Sequence, residues 1–214
     1  MKITTKIALL LVLTAGLLFS CAVMAGAEML FGVSAETGTL DFSADISAPV
    51  AENVSETPSM IILTGDLNLL LIHINAEYGT AEMGKDSLYL AGLKAGWELG
   101  PSILKAKLYG GYRAYGFTRG ITAHAFGGLV ANLGVESKLG NLKIYGDTEF
   151  PLVIRYTNGI TDETGAAVSY LNLGVSYAPL PLLDVFVNSR AMTANSSKAD
   201  LSVTGTTLGV RFSF

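Results

Sequence analysis

Two histidines are the whole imidazole complement of this 214-residue chain, and they bound the acid–base chemistry it can offer at neutral pH. His73 stands in LIHINAEY, where an extended segment puts it on one face with Asn75 and Glu77. Four residues along a strand span about 13 Å, so His73 and Glu77 cannot touch directly. His124 stands in ITAHAFGG, and two places on comes Phe126, an aromatic with no proton to exchange. No glycine-rich phosphate loop opens a helix, and no metal-ligand spacing appears. The glycines of GYRAYG and FGGL read as sites of close packing or bending in strands. The sequence therefore assigns no catalytic residue, no metal and no cofactor.

What must carry such residues is unusual in composition. Only 15% of residues are charged, 24 are glycine and mean hydropathy is +0.45, well away from an ordinary soluble domain with about 25% charge. Beyond the first 27 residues, no apolar run approaches the roughly 20 residues of a membrane helix. The net charge of −4 and pI near 5.2 argue against a nucleic-acid partner, which wants a basic stripe. High hydropathy without spanning helices leaves a very apolar soluble core or a membrane barrel whose apolar residues are dispersed by alternation.

The N-terminus reads as an export signal over 1–27: Lys2 and Lys6, the apolar IALLLVLTAGLLF, then AGA before Glu28. Two rivals stand beside cleavage after Ala27. LFSC around Cys21 loosely follows a lipoprotein box, with Phe19 where a smaller residue is usual, and 7–27 is long enough to stay as an anchor. Cleavage removes two lysines and no acid, taking the net charge from −4 to −6, and it removes the only cysteine. The mature domain, 28–214, then has no disulfide to lean on.

Along 28–214 the pattern has a period of two. Leu208, Val210, Phe212 and Phe214 oppose Thr207, Gly209, Arg211 and Ser213. Lys105, Lys107, Tyr109, Arg113 and Tyr115 oppose Leu104, Ala106, Leu108 and Tyr112. Lys143, Tyr145, Asp147 and Glu149 oppose Leu142, Ile144, Thr148 and Phe150. Lys94 and Glu98 oppose Leu93, Ala95 and Trp97. Tight joins at LGPS, KLGN and APLP alternate with longer polar ones around 79–86, 157–165 and 194–200, the short-turn and long-loop rhythm of outer-membrane barrels. With the tight turns periplasmic, outward Trp97, Tyr177, Phe212 and Phe214 fall near one rim and Tyr78, Tyr89, Tyr112 and Phe150 near the other, as two interfacial belts. A soluble sandwich would bury its aromatics at mid-strand instead.

The last residues, GVRFSF, with Val210, Phe212 and the terminal Phe214 in step, resemble the C-terminal assembly signal of Gram-negative outer-membrane barrel proteins. That resemblance implies an up-and-down antiparallel transmembrane β-barrel, read during assembly by the barrel-insertion machinery and embedded in outer-membrane lipid. Strands are expected at about 87–99, 102–116, 122–137, 141–155, 166–178, 182–193 and 201–214. Upstream, either TGDLN turns and 49–58 is a mobile loop, or TGT forms a hairpin; both give ten strands, with eight the alternative.

In such a barrel the polar face lines the lumen: Lys94, Lys105, Lys107, Arg113, Lys138, Lys143, Arg190 and Arg211, with Glu77, Glu98, Glu136, Asp147, Glu149 and Asp184. Mixed signs in a small lumen can pair across strands and fill it. The expected function is thus non-enzymatic: a structural or surface-interaction role, with a possible extracellular ligand held by the loops, or a narrow passive channel. The alternatives are a barrel hydrolase acting on lipid or peptide at the outer leaflet, and a secreted soluble β-sandwich. Lipid A deacylases carry serine two places after their histidine, and Phe126 departs from that pattern.

Overall fold

The computed structural model describes residues 30–47, 52–69, 72–84, 86–101 and 103–214. The export segment and Cys21 lie outside them.

Alternation with frequent turns gives strands throughout: β1 (Leu30–Ile46), β2 (Glu52–Glu56), β3 (Ser59–Leu69), β4 (Ile72–Met83), β5 (Asp86–Leu99), β6 (Leu104–Arg119), β7 (Thr122–Leu139), β8 (Leu142–Thr157), β9 (Asp162–Thr164), β10 (Ala167–Leu180), β11 (Leu183–Asn195) and β12 (Ala199–Ser213). Each long strand pairs antiparallel with its neighbours in sequence, and β12 returns to β1, from Gly32↔Ser213 to Ile46↔Ala199. Ten strands thus close a barrel; β2 extends the wall above β3 by pairing with the top of β1, and β9 caps the top of β8. At the seam, Phe31 and Phe214 exchange backbone hydrogen bonds in both directions, at 3.0 and 2.8 Å.

Closure sets a stagger. From Thr37, the register through Ile61, Thr80, Tyr89, Gly116 and Ala125 arrives at Thr157 on β8. The other way round, through Leu208, Val187 and Val175, it arrives at Ile144, thirteen residues lower on the same strand. One of the thirteen is taken up by the bulge where Leu129 faces Val153 and Val130 faces Pro151, a break suited to a proline that cannot donate to the ladder.

Four sequence expectations change. TGDLN does not turn: it runs straight through β3, and the chain reverses between Leu69 and Ile72, where no residue of turn type signals it. TGT does not turn either, since Thr37–Thr39 pair on both sides within β1. Within 49–58, residues 52–56 form β2 rather than a loop. The polar joins at 79–86 and 194–200 are mostly strand: β4 runs to Met83 before Gly84 turns at positive φ, and β11 runs to Asn195.

The strands continue well past the membrane. β7, at 18 residues, is roughly 60 Å long at ~3.3 Å per residue and roughly 45 Å tall at a ~40° tilt, against an apolar band of ~25 Å. Along that height the faces exchange character. In the half that carries the tight turns, labelled periplasmic with the other extracellular, the outward residues are apolar and exposed, among them Leu93, Trp97, Leu108, Leu133, Ile144, Leu173 and Val210. In the extracellular half the inward residues are the apolar ones: Leu40, Phe42, Met60, Ile62, Leu88, Phe117, Phe126, Ile154 and Leu201 form a buried core inside the barrel.

Candidate functional site

The periplasmic half of the lumen holds the polar residues that β3 to β8 and β10 to β12 turn inward. Arg113 on β6 is 1% exposed and bonds Glu77 on β4, reaching over Gly92 of β5, and Glu149 on β8. Arg190 on β11 reaches Glu77, Glu36 and the Tyr170 hydroxyl. Lys94 donates to Glu149 at 3.0 Å and lies 4.0 Å from Asp147, which also accepts from Asn132 and Asn172. Nearer the periplasm, Glu98 collects Lys105 at 3.0 Å, the Tyr109 hydroxyl at 2.9 Å and Lys107 at 3.5 Å. Lys107 in turn bonds Glu136, with Lys143 3.7 Å away. Arg211 lies 3.8 Å from Asp66. Each charge is taken out of water only where opposite charges and hydrogen bonds compensate it.

His73 meets partners other than the Glu77 of its own strand. Its Nε2 lies 3.3 Å from Asp66 on β3, and its Nδ1 lies 3.7 Å from Glu98 on β5. Lys138 sits outside the network, exposed at the periplasmic end beside Lys143 in the register, while Asp184 is half-buried at the mouth of β11. Two charged members escaped sequence reasoning, Glu36 and Asp66. Glu36 accepts from Arg190, Asn188 and Thr207. The signal for Asp66 was confined to a short stretch, where Thr64, Asp66 and Asn68 alternate with Leu63, Gly65, Leu67 and Leu69.

Amid these side chains is a polar cavity of about 120 Å³, bordered by Asp66, His73, Asn172, Arg190 and Arg211 among others. Four buried polar atoms without a hydrogen-bond partner, His73 Nδ1, Asn172 Oδ1, Arg190 Nε and Arg211 Nε, all belong to its lining. A space of that size has room for several waters.

Above the cavity the lumen is filled. Tyr115 and Tyr170 stack at 6.4 Å over the Arg113 layer, and Phe42, Phe117, Phe126 and Tyr156 pack above them with ring centroids about 5 Å apart. His124 belongs to this apolar stack. It lies parallel to Phe117 at 4.8 Å, its Nδ1 is 2.8 Å from the Tyr156 hydroxyl, and it is 2% exposed. Across the outer mouth, Arg119 on β6 ties Glu52 of β2 to Asp86 of β5, and Glu163 accepts from the backbone and hydroxyl of Ser197. Among the described residues, no cluster of three or more His, Cys, Asp or Glu side chains could hold a metal ion, and no helix is long and apolar enough to cross a membrane.

Of the aromatics, Trp97, Tyr177 and Phe212 stand outward near the periplasmic ends of β5, β10 and β12. Tyr78, Tyr112 and Phe150 are also outward and about half exposed, and Tyr89 is partly covered. Tyr89 lies three residues from the extracellular end of β5, whereas Tyr78, Tyr112 and Phe150 are at mid-strand, β6 and β8 climbing on to Arg119 and Thr157.

No protein-family model matches the chain, and neither does any curated protein. Solved structures do. The outer membrane protease OmpT from Escherichia coli aligns over 89% of this chain and 99% of its own, with a TM-score of 0.67 at 11% identity. This is the fold of a Gram-negative outer-membrane β-barrel. The Neisserial surface protein A aligns over 86% of this chain and 97% of its own at 17% identity and a TM-score of 0.43. The β domain of the Bordetella autotransporter BrkA aligns over 86% and 99% at 10% identity and a TM-score of 0.47. The outer-membrane barrel here, ten strands with its apolar girdle turned outward, shares its architecture with the first of these and so little sequence that chemistry has to be read from its own residues.

Proposed function

We propose that this outer-membrane barrel is closed to solutes and works through its lipid-facing wall and its extracellular surface, as a structural or surface-interaction protein. One observation carries the reading: the upper lumen is packed with Phe, Leu, Ile, Met and Tyr side chains at zero to a few per cent exposure. An ion crossing that layer would have to leave the polar cavity for an apolar core, at a cost of many kcal/mol. The same packing argues against a hydrolase. A general base must reach its substrate's proton, and His124 is stacked between rings and closed off from solvent.

Planar-bilayer recording of the folded barrel tests this directly. Silence at all applied voltages is expected, and discrete salt-dependent steps would replace the closed barrel with a channel. The export role of 1–27 is part of the same proposal, and a mature mass beginning at Glu28 checks it. So is the reading of β12 as an assembly signal: deleting Phe214 should lower the yield of inserted barrel, and an unchanged yield rejects it.

A further inference from the structure

The apolar girdle is not level around the barrel. On β1 the outward residues are apolar only from Phe31 to Ala35, after which come Thr37, Thr39, Asp41, Ser43 and Asp45. Its neighbour β12 behaves alike: Phe214, Phe212, Val210 and Leu208 give way to Thr206, Thr204, Ser202 and Asp200. On β7, across the barrel, the outward side runs from Leu139 to Ala123 through Val135, Leu133, Ala131 and Leu129, with Ser137 its one polar residue. β6 is apolar outward from Leu104 to Gly116, and β8 keeps Phe150, Leu152 and Val153 exposed just below and at its bulge.

Height along the strands is comparable. Ala125 lies fourteen residues above the periplasmic end of β7 and Ser43 thirteen above that of β1. At that level one wall presents alanine and the other serine between two aspartates. The tyrosines follow the slope. Tyr89 lies over Gly116 and Tyr112 over Gly127, so that a methyl group on either glycine would collide with the tyrosine hydroxyl. Tyr112 therefore points up the wall, because Gly127 lies two residues above its register partner Leu129, whereas Tyr89 lies across its own partner Gly116; an interfacial tyrosine directs its hydroxyl towards water. At the tips of the same strands, Ile121 is fully exposed and Ile160 81% exposed. The first charge met outward on β8 is Arg155, which is paired with Asp162.

We propose that the outer-leaflet lipid boundary climbs across the barrel, so that acyl chains cover the β6–β8 wall well above the level at which β12, β1 and β2 have emerged into water. The occupant is lipid because this face is continuous with the girdle below it, with no charged residue between them. The partnerless apolar surface is thereby covered, and the opposite wall becomes the aqueous face. The barrel either tilts or is met by a bilayer of uneven height. The inference rests on the barrel lying in a bilayer and is independent of whether its lumen conducts.

The experiment places single fluorophores on the full chain carrying Cys21→Ser, in vesicles whose lipids bear a nitroxide on the upper acyl chain. Ala125→Cys and Val153→Cys report on one wall, Ser43→Cys and Thr204→Cys on the other, and Leu173→Cys is the girdle control. Loss of fluorescence at positions 125 and 153 comparable to that at 173, with little loss at 43 and 204, is the expected result. Equal quenching on both walls overturns the slope. Unquenched Ala125→Cys that instead forms disulfides between barrels gives the wall to a second copy and overturns lipid as its occupant. Absence of quenching at 173 would mean that the barrel is not in the bilayer, a failure of the underlying reading that the control separates from failure of the slope.

Discussion

Away from the β6–β8 wall, the two halves of this barrel are built from the same strands with opposite polarity. On β1, Ser34 and Glu36 face inward below while Leu40, Phe42, Ala44 and Ile46 face inward above; on the outside, Val33 and Ala35 give way to Asp41, Ser43 and Asp45. The backbone does not change, since the register with β12 is unbroken across the switch. What changes is the solvent. Lipid takes the apolar face outward and leaves polar groups to satisfy one another inside; water reverses both assignments. A period of two therefore fixes that a strand has two faces without fixing which is the inside.

The comparison can be broken hardest from below. Arg113→Met removes the cation that Glu77 and Glu149 share at the centre of the lumen. Leaving buried carboxylates short of a partner should cost about 3–5 kcal/mol, read as a lower urea midpoint for unfolding from vesicles. Adding Glu149→Leu should return part of that loss. A single variant as stable as the parent would mean that the lower network is filler rather than support.

The upper half should answer to ordinary core rules. Leu40→Ala, at a position 2% exposed, should cost about 2–3 kcal/mol in the same assay, towards the low end for a large-to-small change because Met60 and Met192 border the site and methionine re-packs easily. It should cost stability without opening a conductance, since Phe117 and Tyr156 still close the layer above. If Leu40→Ala were neutral, the apolar interior would be loosely filled and the contrast between the halves much weaker than drawn.

This contrast also explains what was legible beforehand. The lower halves of β5, β6, β8 and β12 read directly from sequence because there alternation coincides with a large difference in polarity, as in Lys105, Lys107 and Arg113 against Leu104, Leu108 and Tyr112. The upper halves did not. Thr80 and Glu82 on β4 face water while Ala81 and Met83 face in, so a polar segment that is strand looks like a join. Asp66 was hidden by its company, as TGDLN has the composition of a turn, and the actual reversal after Leu69 has none of it. The pairing of His73 with Asp66 and Glu98 depends on cross-strand register, which a single sequence does not encode.

The finest point of the comparison is the mouth, where the apolar core ends and polar ties begin. Asp86 accepts from the Gly120 backbone N–H at 2.9 Å and pairs with Arg119; the backbone bond first and the guanidinium second hold its carboxyl below the usual carboxylate range. A carboxylate whose pKa is lower in the folded protein than in the unfolded chain adds stability above its ordinary pKa, and that contribution fades as pH falls through its lowered value. Acid should therefore loosen the Gly120 turn before it touches the core beneath. Amide exchange at Gly120, corrected for the intrinsic pH dependence, should quicken on acidification, while exchange at Phe117 and Phe126 in the packed layer stays slow. Asp86→Asn should make the Gly120 turn loose at every pH and erase the acid step. An unchanged acid step in Asp86→Asn would assign it to another carboxylate of the mouth, Glu163, and would separate the Asp86 tie from the closure of the upper half.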